Sequence, residues 1–250
     1  MISQSTQLGT AYNADCFDVM RSLPDGSVDM ILADLPYGTT ACKWDTVIPF
    51  EPMWKEFHRI AKPNAAIVLT ASQPFTSALV MSNVKSFKYQ WVWDKSFGAN
   101  FANAKKMPLK THEDVCVFCF GKTPYHPQKV EGAKNHVRNV RAPAKRDFMA
   151  GACKQIESDV SGLKYPKSIQ TFPKHASQCG LHPTQKPVTL FEYLIKTYTN
   201  EKDLVFDPTA GSLTTGVASE NLNRRWICSE QDAGYFEKGC ARFENIEFDI

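Results

Sequence analysis

Residues 203–216 read DLVFDPTAGSLTTG. A short apolar run ends on an aspartate and a proline. Gly211 follows, and then a helical pattern, SLTTGVASENL, over 212–222. Strand, tight turn and helix in that order make a βα unit, the building block of an open α/β sheet. Gly211 permits a tight turn and a close approach of backbone to a ligand. Ser212, Thr214 and the free N–H groups at the helix start suit an anionic group such as a carboxylate. A purely structural strand–helix turn has the same local pattern. The spacing is neither G-x-G-x-x-G nor G-x-x-x-x-G-K-[ST], which weakens the case for a nicotinamide cofactor or an NTPase.

The same unit recurs along the chain. Strand patterns occur at 8–13 (LGTAYN), 28–34 (VDMILAD), 65–71 (AAIVLTA), 87–94 (FKYQWVWD), 113–120 (EDVCVFCF), 203–207 and 225–230 (RWICSE). Helical patterns occur at 15–23, 50–61, 73–84, 188–198, 212–222 and 232–243. VDMILAD is apolar on both faces, as a strand covered on both sides must be. The reading is an α/β fold: a doubly wound, mostly parallel seven-stranded sheet with helices on both faces. In such sheets ligands bind at the carboxyl ends of strands, where the strand order reverses. Three features fall on those ends: DLPYG (34–38), DPTAGSLTTG (207–216) and Glu230. A carboxylate at the position of Glu230 can accept hydrogen bonds from ribose hydroxyls, so a nucleoside-bearing cofactor is indicated.

Charge is unevenly spread. The 250 residues carry a net +3, yet residues 121–181 hold eleven Lys or Arg against four acids, a net +7, leaving −4 elsewhere. That block also holds Pro124, Pro127, Pro143, Pro166 and Pro173 and lacks apolar periodicity, so it reads as an inserted region with a polyanion footprint. A solvated, lysine-rich loop is the plainer alternative. The boundaries are 1–120, an insertion at 121–181, and 182–250. Of eight cysteines only Cys116 and Cys119 form a C-x-x-C, inside a strand pattern. No second pair has zinc-like spacing, so no metal is expected and the thiols read as small core residues. The apolar runs are too short to cross a bilayer, and the N-terminus lacks a secretory pattern, so a cytoplasmic protein is expected.

The stretch ADLPYG, residues 33–38, places an acid, a proline and an aromatic at a strand end. DLPY resembles the [DNS]-P-P-[YFW] signature of amino-group methyltransferases that use S-adenosylmethionine. DPTAGSLTTG is similar to their D-P-F-x-G-S-G-T-T cofactor loop, and HPTQKP at 182–187 matches the segment before it. The order is pocket motif, basic region, HPTQKP and cofactor loop. It resembles the β group of DNA adenine-N6 and cytosine-N4 methyltransferases, over nearly all the chain outside the basic block. The resemblance implies a permuted Rossmann-like methyltransferase fold. It makes 1–120 the catalytic half, 121–181 the target-recognition insertion and 182–250 the cofactor-binding half.

The resemblance also implies roles. Asp34, Leu35, Pro36 and Tyr37 form the pocket for a base flipped out of double-stranded DNA. The Asp34 carboxylate and the Leu35 carbonyl accept from its exocyclic amine, Tyr37 stacks on its ring, and Pro36 stiffens the turn. Asp15 and Cys16 face the cofactor's adenine, and Glu230 holds its ribose. Thr184, Lys186, Asp207, Gly211, Ser212 and Thr214 surround its methionine part. From charge and position rather than from the resemblance, Lys43, Lys105, Lys106, Lys129, Lys134, Arg138, Arg141, Lys145 and Arg146 are read as DNA contacts, mostly at phosphate, with covering of the site as the alternative for Lys43. Two leucines depart from the family pattern. Leu35 replaces a proline whose side chain has no assigned task. Leu213 replaces a glycine, which is costly if that position needs a positive φ. An acid with Tyr in the motif points to adenine N6 as the target. The alternatives are cytosine N4 and a degenerate DNA-binding protein with weak cofactor binding; methylation of RNA or of a glutamine amide is a further reading. The expected setting is a bacterial or phage-infected cell, nucleoid-associated, with restriction–modification as one context and a homodimer as one assembly. His112 and Glu113 receive no role.

Overall fold

The computed structural model describes residues 2–40, 42, 45–132, 162–173 and 185–243. They divide between two compact units, Met1–His126 with Ser168–Ile250, and Pro127–Lys167. The larger unit begins with β1 (Ile2–Ser5), β2 (Gly9–Asn13), α1 (Cys16–Ser22), β3 (Val28–Asp34), α2 (Phe50–Ile60) and β4 (Ala61–Ala71). It continues with α3 (Phe75–Ser82), β5 (Phe87–Ala99) and β6 (Lys110–Phe118). The smaller unit contributes β7 (Val130–Glu131) and β8 (Leu163–Lys164), an antiparallel pair. The chain then adds β9 (Ile169–Thr171), α4 (Val188–Tyr198), β10 (Leu204–Asp207), α5 (Thr214–Asn221), β11 (Arg225–Glu230) and α6 (Ala233–Cys240) to the larger unit.

The sheet has nine strands in the order β1-β2-β11-β10-β3-β4-β6-β5-β9. The five from β2 to β4 run parallel, whereas β6 is antiparallel to both β4 and β5. The seven strands read from the sequence are all present, and the expected count is corrected by one strand at each edge. β1 is the exposed polar run ISQS, and β9 is three residues next to a proline-rich stretch. Neither has the buried alternation that marks a strand in sequence.

Side-chain alternation makes both faces of the sheet apolar. On β3, Ile31 and Ala33 join one core with Phe57 of α2 and Leu79 of α3, while Met30 and Leu32 join another with Leu190 and Leu194 of α4. A third cluster joins Trp226 and Cys228 of β11 to Phe236 and Cys240 of α6. The chain leaves β3 toward α2 on one face and β10 toward α5 on the other. These adjacent parallel strands therefore open a crevice at their carboxyl ends. Asp34 and Asp207 close the two strands. Among the described residues, no helix is long and apolar enough to cross a membrane.

Leu213, just before α5, takes φ +58° and ψ +35° and is fully buried. Its side chain fills space that Gly239 of α6 leaves open, since a Cβ at 239 would lie 2.5 Å from Leu213 Cγ. A left-handed leucine costs roughly 1–2 kcal/mol. Emptying a buried leucine site costs about 2–5 kcal/mol. Burial therefore outweighs strain. Leu213→Gly is expected to lower stability by about 1–3 kcal/mol in urea unfolding. Gly239→Ala should destabilise the wild type and cost less in the Leu213→Gly background, where the Ser212 backbone carbon, 3.0 Å from the new Cβ, is the contact that remains. Additive effects in that double-mutant cycle would show that the two sites are not coupled.

Candidate active site

Asp34 ends a strand whose preceding residues, Met30 to Ala33, are fully buried. Register places Thr70 of β4 directly beside it. The Thr70 hydroxyl donates to Asp34 Oδ1, and Tyr37 Oη lies 2.9 Å from both Asp34 Oδ1 and Thr70 Oγ1. Lys186 Nζ donates to Asp34 Oδ2 at 2.6 Å. Thr209 Oγ1 donates to the Asp34 carbonyl at 3.0 Å, tying β3 to the loop after β10. Leu35 turns its side chain into the core and is 3% exposed. Tyr37 stacks on Phe75, with centroids 5.2 Å apart. Burial, followed by the charges of Asp34 and Glu113, pushes the Tyr37 hydroxyl well above its ordinary range, so it stays a neutral donor.

Lys186 is 6% exposed and also lies 3.4 Å from Glu113 Oε2. Lys95 Nζ pairs with Glu113 Oε1 at 3.1 Å. Burial alone would raise the Glu113 carboxyl, but Lys186 and Lys95 outweigh it and hold it below the usual range. Burial alone would lower Lys186, but Asp34 and Glu113 outweigh it and hold the ammonium above its ordinary value. Both groups are therefore ionised. Beyond Tyr37 the loop is closed by Asp45, which accepts from the amides of Gly38, Thr39 and Thr40 at 2.7–2.9 Å.

On the β10 side, Glu230 Oε2 accepts from Gly211 N and its Oε1 from Asp232 N, both at 2.8 Å. The carboxylate thus shapes the glycine turn, where Gly211 has φ +54°. Arg242 donates to the Ser212 carbonyl at 2.6 Å. Asp207 accepts from Thr209 N at 3.0 Å and from the Thr215 hydroxyl. Burial drives its pKa up to about 7, against the pull of those two bonds, and Asp34 and Glu230 add to the rise. Asp15 caps α1 by accepting from Phe17 N at 2.8 Å. Burial pushes the neighbouring Cys16 thiol up to about 12, so it is no nucleophile.

These groups surround one cavity of about 530 Å³. Twelve of the site residues read from the sequence line it or frame it: Asp15, Cys16, Asp34, Leu35, Pro36, Tyr37, Lys186, Asp207, Gly211, Ser212, Thr214 and Glu230. Lys186, read as a neighbour of the methionine part, is seated on Asp34. Lys105 and Lys106 are exposed between β5 and β6, and Lys129 lies in the smaller unit, over the Tyr165 ring at 4.6 Å. Lys43, Lys134, Arg138, Arg141, Lys145, Arg146 and Thr184 lie outside the described residues. Thr70, Thr209, Lys95 and Glu113 received no role from the sequence, because pairing between distant strands brings the two threonines to Asp34 and the Lys95–Glu113 pair to Lys186. Among the described residues no group of His, Cys, Asp and Glu could hold a metal ion. Asp15, Asp207 and Glu230 are among the acids that line the cavity. Their oxygens suit a polar, nucleoside-bearing ligand.

The profile of one family, described as DNA methylase, matches residues 28–240. The DNA adenine methyltransferase YhdJ of Escherichia coli strain K12 is 27% identical over 257 residues, covering 94% of this chain and 82% of that protein. The type II methyltransferase M2.MboI of Moraxella bovis is 26% identical over 264 residues, covering 94% and 87%. Among solved structures, the M1.HpyAVI–SAM complex superposes with a TM-score of 0.63 at 22% identity, over 96% of this chain and 100% of that one. The cytosine-N4-specific PvuII DNA methyltransferase superposes with a TM-score of 0.67 at 16% identity, over 98% and 89%. The doubly wound fold is thus shared with methyltransferases of known structure.

Asp207 sets a pH dependence. Its carboxyl holds a proton in the folded chain up to about pH 7, against 3.8 for the ordinary group. Its contribution to stability is therefore full below pH 3.8 and is lost as pH rises toward 7. The loss is on the order of 4 kcal/mol. Asp207→Asn can still accept from Thr209 N and can donate to the Thr215 hydroxyl. The thermal midpoint of the cofactor-free variant is expected to fall less between pH 5 and 8 than that of the wild type. Parallel curves would remove Asp207 as the titrating group.

Proposed function

The chain belongs to the DNA methylase family, and from that premise we propose that it methylates the exocyclic N6 amine of an adenine flipped out of duplex DNA. S-adenosylmethionine is the cofactor and supplies, when bound, a methyl group already activated on a sulfonium. One observation carries the reading: the carboxylate of Asp34 lies on the cavity wall beside Tyr37, and Asp15, Asp207, Gly211 and Glu230 line the same cavity.

An exocyclic amine is a weak nucleophile because its lone pair is delocalised into the ring. Asp34 and the Leu35 carbonyl would accept its two N–H bonds and turn the lone pair outward. Thr70 and Thr209 hold Asp34 to β4 and to the β10 loop, which fixes the angle of approach. Positioning of this kind is worth several orders of magnitude in rate. Tyr37 offers a ring for the extruded base and offsets part of its unstacking. Glu230 would take the ribose of the cofactor and Asp15 its adenine end. Lys186, Asp207 and the turn at Gly211 and Ser212 lie toward its methionine end. Lys105 and Lys106 would meet phosphate, as would Lys129 and the basic residues up to Arg146.

Adenine is favoured by the acid and tyrosine of DLPY and by the adenine-directed name of the Escherichia coli relative. The same amine geometry serves cytosine N4, the target named for the PvuII enzyme, and this is the second reading. The type II relatives point to a restriction–modification setting. Nucleoside digestion after labelled methyl transfer is expected to yield N6-methyladenine, and N4-methylcytosine alone would overturn the adenine assignment. Asp34→Ala should abolish transfer while cofactor affinity stays within about tenfold. Retained turnover would refute the role given to Asp34. Replacing Lys105 and Lys106 by Ala should flatten the salt dependence of DNA binding, by about one unit of slope per lysine.

A further inference from the structure

Both oxygens of Asp34 are already engaged. Oδ1 takes the Thr70 hydroxyl and has Tyr37 at 2.9 Å, and Oδ2 takes the Lys186 ammonium at 2.6 Å. The same ammonium lies over the Tyr37 ring, 5.7 Å from its centroid. Lys186 therefore stands where a target amine and its base are expected, and its charge cancels that of the carboxylate which must receive them. Of the three groups bonded to the Asp34 carboxylate, Lys186 is the one that faces a second carboxylate. Glu113 Oε2 is buried, accepts no hydrogen bond from the described residues, and lies 3.4 Å from Lys186 Nζ. Lys95 holds the other oxygen of Glu113 and fixes its orientation.

We propose that Glu113 is a positioning residue for methyl transfer: as the target amine takes Asp34 Oδ2, the Lys186 ammonium passes to Glu113 Oε2. A movement of under an ångström turns the 3.4 Å separation into a charge-assisted hydrogen bond. Without that second anion the displaced ammonium would be a buried, unpaired cation. With it, two carboxylates and two ammonium groups remain matched while the Asp34 charge is released toward the amine. This inference rests on the methyltransferase reading of the site and holds for either target base. The charged or titratable groups facing Lys186 are Asp34 of β3, Tyr37 just after it and Glu113 of β6, with Lys95 of β5 behind Glu113.

The test is Glu113→Gln, read by single-turnover methyl transfer across pH with the DNA site that the wild type methylates. At neutral pH the rate constant is expected to fall about 10- to 100-fold. Affinity for S-adenosylhomocysteine, by calorimetry, should stay within about twofold. The variant's rate should recover toward alkaline pH. Having lost one anion, Lys186 gives up its proton sooner, and a neutral amine no longer masks Asp34. A merely structural role for Glu113 would give a defect that pH does not relieve. In the cofactor-free protein, the nitrogen-15 signal of the Lys186 ammonium should move on adding target duplex in the wild type and move less in the variant. If Glu113→Gln does not fold, Glu113→Asp carries the test: its carboxylate is retained but drawn back by one methylene, and a smaller defect with a weaker alkaline recovery is expected. Wild-type rates in the folded variant, or a defect independent of pH, would overturn the inference alone. A wild-type chain that methylates no DNA base would overturn the functional reading and this inference together.

Discussion

A carboxylate held among two hydroxyls and an ammonium, just after the buried run Met30 to Ala33, is the constraint on which the site is built. Asp34 cannot move without breaking bonds to β4, to the β10 loop and to Lys186. Each partner comes from a different segment, so the carboxylate acts as the point where the two sides of the crevice meet. An ammonium as buried as that of Lys186 needs an anion beside it. The pairing with Lys186 therefore serves stability in the folded chain, whatever the same groups do when a base enters.

The cofactor loop follows the same logic of local cost and tertiary compensation. Glu230 takes the amide of Gly211, Arg242 takes the carbonyl of Ser212, and Leu213 accepts a left-handed backbone. Seen in sequence, the leucine is a defect at a position where the related pattern has glycine. In the folded chain the methyl groups of Leu213 lie against Gly239, a glycine on a helix that the sequence places far downstream. The absence of one Cβ makes room for another side chain, so the two positions are read correctly only together.

The large acid–base network of the site divides in a comparable way. Asp207 is protonated near neutrality, whereas Glu113 is held ionised by two lysines. Both are buried acids. What separates them is the charge opposite: Lys186 and Lys95 face Glu113, while Asp207 has only hydrogen bonds, with the acids Asp34 and Glu230 nearby. Burial in either case comes from the covered sheet, and the sign of the shift comes from which segments end beside the group.

Much of the molecule was legible in the linear chain. The βα units, the seven central strands and the residues at their carboxyl ends follow from period-2 and period-3.6 apolar patterns with glycine turns, because those patterns are local physics. The DLPY and DPTAGS motifs were legible for the same reason, since each is a contiguous strand end. The edge strands β1 and β9 were not, because an edge strand needs no apolar face. The partners were not: Thr70 meets Asp34 through the register of β3 and β4, Thr209 through the pairing of β10 with β3, and Glu113 and Lys95, paired across β6 and β5, reach it only through Lys186. The sequence by itself determined the class of fold, which residues stand at the strand ends, and the family. Only the tertiary structure decided that Lys186 sits on Asp34 with Glu113 beside it, because that contact joins residues far apart in the chain through long-range pairing that no local pattern records.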